Sequence, residues 1–226
     1  MITPAPPSSA RSLQPNAQGR GPVTHKHPDA IQDFHATCPE RLERVMPPDH
    51  ARPVRVFRQD ESRVGLLTVR RRRLTAAGVP PVGAVPHVFE GFDVDGAVEP
   101  TTGARVCLER PSLKADTCPI FIDAFAHACP DRLNSLRLEN RGAHPAQCLR
   151  WPEQVRPLWL PPDGPELNPI ERVWRDLKDD LAWLQCPDLD AQQVSVGDLW
   201  QTSEAPALQA LTSDADLVDA INARLL

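Results

Sequence analysis

The residues best suited to chemistry in this chain are carboxylates that stand where apolar runs break. Glu171 lies in the stretch Leu158-Trp159-Leu160-Pro161-Pro162-Asp163-Gly164-Pro165-Glu166-Leu167-Asn168-Pro169-Ile170-Glu171-Arg172-Val173-Trp174. The apolar start reads as a short buried strand, and the prolines and glycine after it break the run. Asn168 has the character of an N-cap, and Pro169 suits the first helical position, where a missing N–H costs nothing. Glu171 then falls in the first turn of a helix, with two roles open to it. It can close a capping box by bonding back to the Asn168 amide, or it can hold a metal ion at the mouth of a sheet. The choice depends on whether other carboxylates lie at matching strand ends. Asp60 and Glu61 are candidates, because they follow the alternating stretch that begins at Val54; on their own they could as well cap a strand at a solvent edge. Arg70-Arg71-Arg72-Arg73 is a basic run, either solvated or set to contact phosphates.

Composition narrows the classes. The chain has 226 residues, 41% of them hydrophobic and 24% charged, as expected of a soluble globular protein with one sizeable domain plus extras. No apolar run approaches the roughly 18–20 residues of a membrane span. Met1 to Arg20 lacks the apolar core of a secretory signal, so a cytoplasmic location is the expectation. The cysteines (Cys38, Cys107, Cys118, Cys129, Cys148, Cys186) form no Cys-x-x-Cys pair, which argues against zinc and for free thiols in a reducing compartment. The net charge of −5 argues against a dedicated DNA-binding protein. The acids Asp188, Asp190, Asp198, Glu204, Asp214, Asp216 and Asp219 face only Arg224 in residues 188–226. The rest of the chain is near neutral, which leaves room for a basic groove.

Several elements must position these groups. Residues 1–52 are Pro-rich and read as a flexible arm. At most one short helix is expected there, at 31–46, with Ile31, Phe34, Leu42 and Val45 as apolar positions and Pro39 interrupting it. The core is expected to begin at Pro53. Val54 to Asp60 alternates as a strand does. Val88–Val98 and Arg105–Leu108 read as a hairpin around the turn Glu99-Pro100-Thr101-Thr102-Gly103. Asp116 to Ala128 reads as an amphipathic helix with Ile120, Phe121, Ala124, Phe125 and Ala128 on one face. Leu133–Leu138 and Val155–Leu160 are further strands. Ile170, Val173, Trp174, Leu177, Leu181 and Leu184 recur at helical spacing. Leu208, Leu211, Leu217, Val218 and Ile221 are the candidate packing positions of residues 188–226.

Three segments carry a resemblance. Leu-Pro-Pro followed by Pro165-Glu-Leu-Asn-Pro-Ile-Glu-Arg-Val-Trp174 resembles the last catalytic motif of DDE transposases, of the insertion-sequence group in the mariner superfamily. Asp163 and Gly164 stand where that pattern has an aromatic and a small residue. Asp60-Glu61-Ser62-Arg63 resembles the first catalytic motif, and Gly96-Ala-Val-Glu-Pro-Thr-Thr-Gly103 matches a hairpin phrase of the same family. Leu138-Glu139-Asn140-Arg141-Gly142-Ala143-His144 is similar to the second motif, with Glu139 where the family has an aspartate. The resemblance spans roughly Pro53 to Leu226.

It implies an α/β, ribonuclease H-like fold, a mixed sheet with flanking helices, with a catalytic domain at 53–187 and a C-terminal helical tail at 188–226. It implies that Asp60, Glu139 and Glu171 are the catalytic, metal-holding acids, with Asn140, His144 and Asn168 in support and Arg70 to Arg73 on DNA. The cofactor implied is a pair of Mg²⁺ or Mn²⁺ ions about 3.5–4 Å apart. The activity implied is metal-dependent DNA phosphodiester cleavage and strand transfer, impaired by the longer Glu139. The alternative is an inactive remnant acting at most as a weak nucleic-acid or protein-binding module. The chain is expected to be an N-terminally truncated catalytic domain, since no helix-turn-helix pattern precedes Asp60. Its expected partners are DNA, held weakly and without sequence selection, and a second copy in a homodimer. No membrane and no small-molecule substrate are expected.

Overall fold

The computed structural model describes residues 28–47, 54–66, 90–110, 118–139, 150–161, 167–182, 184 and 186–213. Short alternating or apolar runs bounded by turn residues become its strands. These are β1 (Val54–Gly65), β2 (Gly91–Val98), β3 (Arg105–Arg110), β4 (Leu133–Leu138) and β5 (Val155–Trp159), in the sheet order β3-β2-β1-β4-β5. β2 and β3 continue from β1 as an antiparallel meander, while β4 and β5 lie parallel on its other side. The two-residue period of β1 sends Phe57 to one face and Val56 and Val64 to the other.

Helices cover both faces. They are α1 (Pro28–Val45), α2 (Cys118–Ala128), α3 (Ile170–Leu181), α4 (Leu189–Thr202) and α5 (Ala205–Thr212). α2 lays Phe121 and Phe125 on the Phe57 face, and Phe57 meets Phe125 edge-on with ring centroids 4.9 Å apart. On the opposite face, α1 packs Phe34, Cys38 and Leu42, with Met46 just past its end, on Val56, Leu158 and Leu160. α3, α4 and α5 close the rest with Val173, Trp174, Trp200 and Leu208 on Val64, Phe92 and Val94. The architecture is the mixed, helix-flanked α/β sheet expected.

The structure corrects four local expectations. β1 runs on through Asp60 to Gly65, because its antiparallel pairing with β2 continues to Gly91. α1 passes through Pro39 as an 18-residue helix. Its buried stripe of Phe34, Cys38 and Leu42 outweighs the one backbone hydrogen bond that a proline removes. The core therefore begins upstream of Pro53. In α2 the inner face carries Ile122 and Ala126, with Ile120 54% exposed; the sheet, not the helix's own period, sets which residues face inward. Leu184, expected on the buried stripe of the third helix, lies beyond its end and is 46% exposed.

The β2–β3 turn is tied to the start of β1. Glu99 accepts two hydrogen bonds from Arg55, at 3.0 and 2.6 Å, and another from the Thr102 hydroxyl. Gly103 turns the chain with φ +70°, and a Cβ there would stand 2.6 Å from the Ala205 carbonyl oxygen. Tail helices α4 and α5 occupy part of 188–226; Leu217, Val218 and Ile221 lie outside the described residues. No described helix is long and apolar enough to cross a membrane.

A candidate metal centre of three carboxylates

The sheet's mixed pairing creates the site. β1 pairs with β4 from Val54 to Arg58, and with β2 from Arg58 to Gly65. Asp60 therefore stands just past the end of the parallel ladder. Glu139 directly follows β4 and, because the two strands run parallel, arrives at the same end. The chain leaving β5 returns through α3, whose second residue is Glu171. One carboxylate oxygen from each of Asp60, Glu139 and Glu171 lies within 4.8 Å of the other two. Asp60 and Glu139 are half-buried and Glu171 is exposed.

Burial is the largest influence on Asp60 and raises its pKa to about 7. The Glu61 amide, by hydrogen bonding, pulls it partly back, while the charges of Glu139, Glu171 and Glu61 push it up. Hard oxygen donors in close array, with more negative charge than the site can compensate, suit a divalent cation that prefers oxygen ligands. The donor set thus fits such an ion, and Asp60, Glu139 and Glu171 are the residues that would hold it.

Pro169 has helical angles, φ −66° and ψ −6°, as suits the first helical position. The Asn168 side chain does not act as a cap: its Oδ1 accepts from none of the described residues. It is buried, and its amide donates to the Gln59 carbonyl at 2.8 Å, just beyond the point where the β1–β4 ladder stops. Asn168 thereby ties the α3 start to the residue preceding Asp60.

Trp174 escaped the sequence reading as a site residue. Its indole N–H donates to an Asp60 oxygen at 3.2 Å, and its place three residues after Glu171 was the available signal. Glu61 points to the other face of the sheet. There Arg110 pairs with Asp95 and, at 3.9 Å, with Glu61, while Arg63 lies 3.7 Å from Asp93. Burial pushes the Asp95 carboxyl up to about 7, against the pull of Arg110. Arg70, Arg71, Arg72, Arg73, Asn140 and His144 lie outside the described residues.

Known proteins are similar to this chain. A family model for "DDE superfamily endonuclease" matches residues 55–191. An uncharacterized protein y4pE/y4sA of Sinorhizobium fredii (strain NBRC 101917 / NGR234) is 31% identical over 90 residues, which is 39% of this chain and 65% of that protein. Among solved structures, the Mos1 transposase paired-end complex with left transposon end aligns with a TM-score of 0.56 at 13% identity, over 92% of this chain and 67% of that one. The Mos1 mariner paired end complex with Mn aligns at 0.57 and 13% identity, over 93% of this chain and 66% of that one. The Mos1 paired end complex with Mg aligns at 0.52 and 13% identity, over 94% and 66%. The chain thus spans about two thirds of the length of these relatives. At such identities the Mos1 likeness gives the fold, which is ribonuclease H-like. The sequence match runs from β1 into α4 and takes in all three carboxylates, so the chain belongs to the DDE superfamily endonucleases.

Proposed function

We propose that this chain is a transposase catalytic domain that cleaves DNA phosphodiesters in a metal-dependent reaction and joins the freed 3′-hydroxyl to a target strand. The observation that carries this reading is the meeting of Asp60, Glu139 and Glu171 at one sheet edge, with carboxylate oxygens within 4.8 Å. Family membership and the Mos1 likeness support it. These acids would hold two Mg²⁺ or Mn²⁺ ions. When bound, the ions supply positive charge to the phosphorus centre and an acidified water. Asp60, half-buried on the sheet, fixes the inner wall of the site; Glu171, exposed on α3, faces the side from which DNA must come. Asn168 holds the α3 start against Gln59, and Asn140 and His144 are assigned supporting roles. Arg70 to Arg73 are assigned to DNA phosphates.

Glu139 supports a second reading, a domain of the same fold whose chemistry is lost. A glutamate carries its oxygens one C–C bond further from the backbone than an aspartate, and a misplacement of about 1 Å can cost on the order of 10²-fold in rate. Nicking of supercoiled DNA in Mg²⁺ and in Mn²⁺ separates the two. Wild type is expected to nick slowly, Glu139→Asp faster by up to about 10²-fold, and Asp60→Ala and Glu171→Gln not at all. Full activity in wild type with no gain from Glu139→Asp would show that the site accepts glutamate. Silence from both proteins would favour the remnant.

A further inference from the structure

We infer that Trp174 is a positioning residue for the first carboxylate: its indole N–H fixes one oxygen of Asp60, and Gly96 and Trp200 fix the indole. The inference rests on the metal reading above and names a part of that site outside the three acids. An indole nitrogen can only donate. Donating to Oδ2 of Asp60 at 3.2 Å, it holds one carboxylate oxygen and leaves the other for an ion, as groups behind metal ligands commonly do. Trp174 stands one helical turn from Glu171, so the helix that supplies the third carboxylate also orients the first.

The ring itself is held on both sides. Gly96 is the direct cross-strand partner of Asp60. A Cβ on Gly96 would stand 2.5 Å from Cη2 of Trp174 and 2.7 Å from Cη2 of Trp200, so only a glycine lets the indole lie against the strand. Trp200 of α4 stacks on Trp174 with centroids 5.3 Å apart and planes 25° from parallel. A buried indole N–H needs some acceptor, and a backbone carbonyl would serve the fold alone. Here the acceptor is a carboxylate of the cluster.

The test uses the full chain and two readouts. In the first, Mn²⁺ affinity is measured by electron paramagnetic resonance for wild type, Trp174→Phe, Trp151→Phe and Asp60→Ala. Trp174→Phe is expected to lose about 10–100-fold. Trp151→Phe makes the same change on the Phe57 face of the sheet, away from Asp60, and is expected to stay near wild type. In the second, the indole ¹H–¹⁵N resonance of Trp174 is followed in the metal-free protein. It is expected to move in Asp60→Ala while that of Trp200 moves less. This readout needs no folded Trp174→Phe protein and no metal. An indole resonance unmoved by Asp60→Ala overturns the inference, as does a folded Trp174→Phe protein with wild-type affinity. If wild type binds no Mn²⁺, the metal reading fails and the positioning role falls with it. If wild type binds and Asp60→Ala does not, while Trp174→Phe matches wild type, the metal reading stands and this inference alone is lost.

Discussion

Asp60 holds a proton up to about pH 7 in the metal-free protein, because burial and neighbouring carboxylates oppose its charge. Its value in an unfolded chain is near 3.9, so between about pH 4 and 7 the native state binds the extra proton and metal-free stability falls as pH rises through that window. A bound cation needs the charged form and must displace that proton. Apparent Mg²⁺ affinity is therefore expected to weaken by up to about tenfold per pH unit below 7 and to level off above it. Calorimetric titration between pH 5.5 and 8 checks this, and an affinity flat across the range would remove Asp60 from the site. The acids themselves were legible only as a set. Glu171 alone fits a capping box, and its place beside Asp60 and Glu139 shows only once the sheet brings the three together. Trp174 was legible as a core residue but not as a donor, since its acceptor is on β1, distant in sequence and near only through the sheet.

At the scale of elements, the strongest local dependence is the clasp between the β2–β3 turn and β1. Glu99 is 4% exposed and takes both hydrogen bonds from Arg55. Glu99→Ala would leave the half-buried guanidinium beside Phe57 without its counter-charge, and removing one partner of such a bond costs about 1–3 kcal/mol. The lower end of that range is expected, read as a reduced denaturant midpoint with unchanged slope; an unchanged midpoint would show the clasp to be idle. Alternation and turn residues made every strand of the sheet legible, hydrophobic spacing located α1, α2 and α3, and the resemblance supplied the tail helices. Their limits were not legible, because a partner sets them. β1 extends to Gly65 for as long as β2 pairs with it. α1 runs through Pro39 because the sheet rewards its stripe. α2 turns Ile122 inward and Ile120 outward because Phe57 and its neighbours choose the face.

For the whole molecule, a net charge of −5 provides little long-range attraction for DNA. Binding by this chain is expected to be weak, salt-dependent and without sequence preference, since phosphate contacts carry no base information. If Arg70 to Arg73 each neutralise a phosphate, replacing all of them with serine should flatten the slope of log affinity against log salt by about 3–4. An unchanged slope in a salt titration would release that run from DNA contact. The central strand carries a different consequence. β1 is flanked by β2 on one side and by β4 on the other, and β4 is made much later. While a ribosome adds the residues between Gly65 and Leu138, at about 5–20 residues per second, one edge of β1 has no strand to receive it for roughly 4–15 s. The nascent chain thus presents an open β edge bearing Val56 and Phe57, the kind of surface that recruits other chains. Its yield in a cell should depend on how fast that interval is crossed, and on chaperones that cover the edge meanwhile.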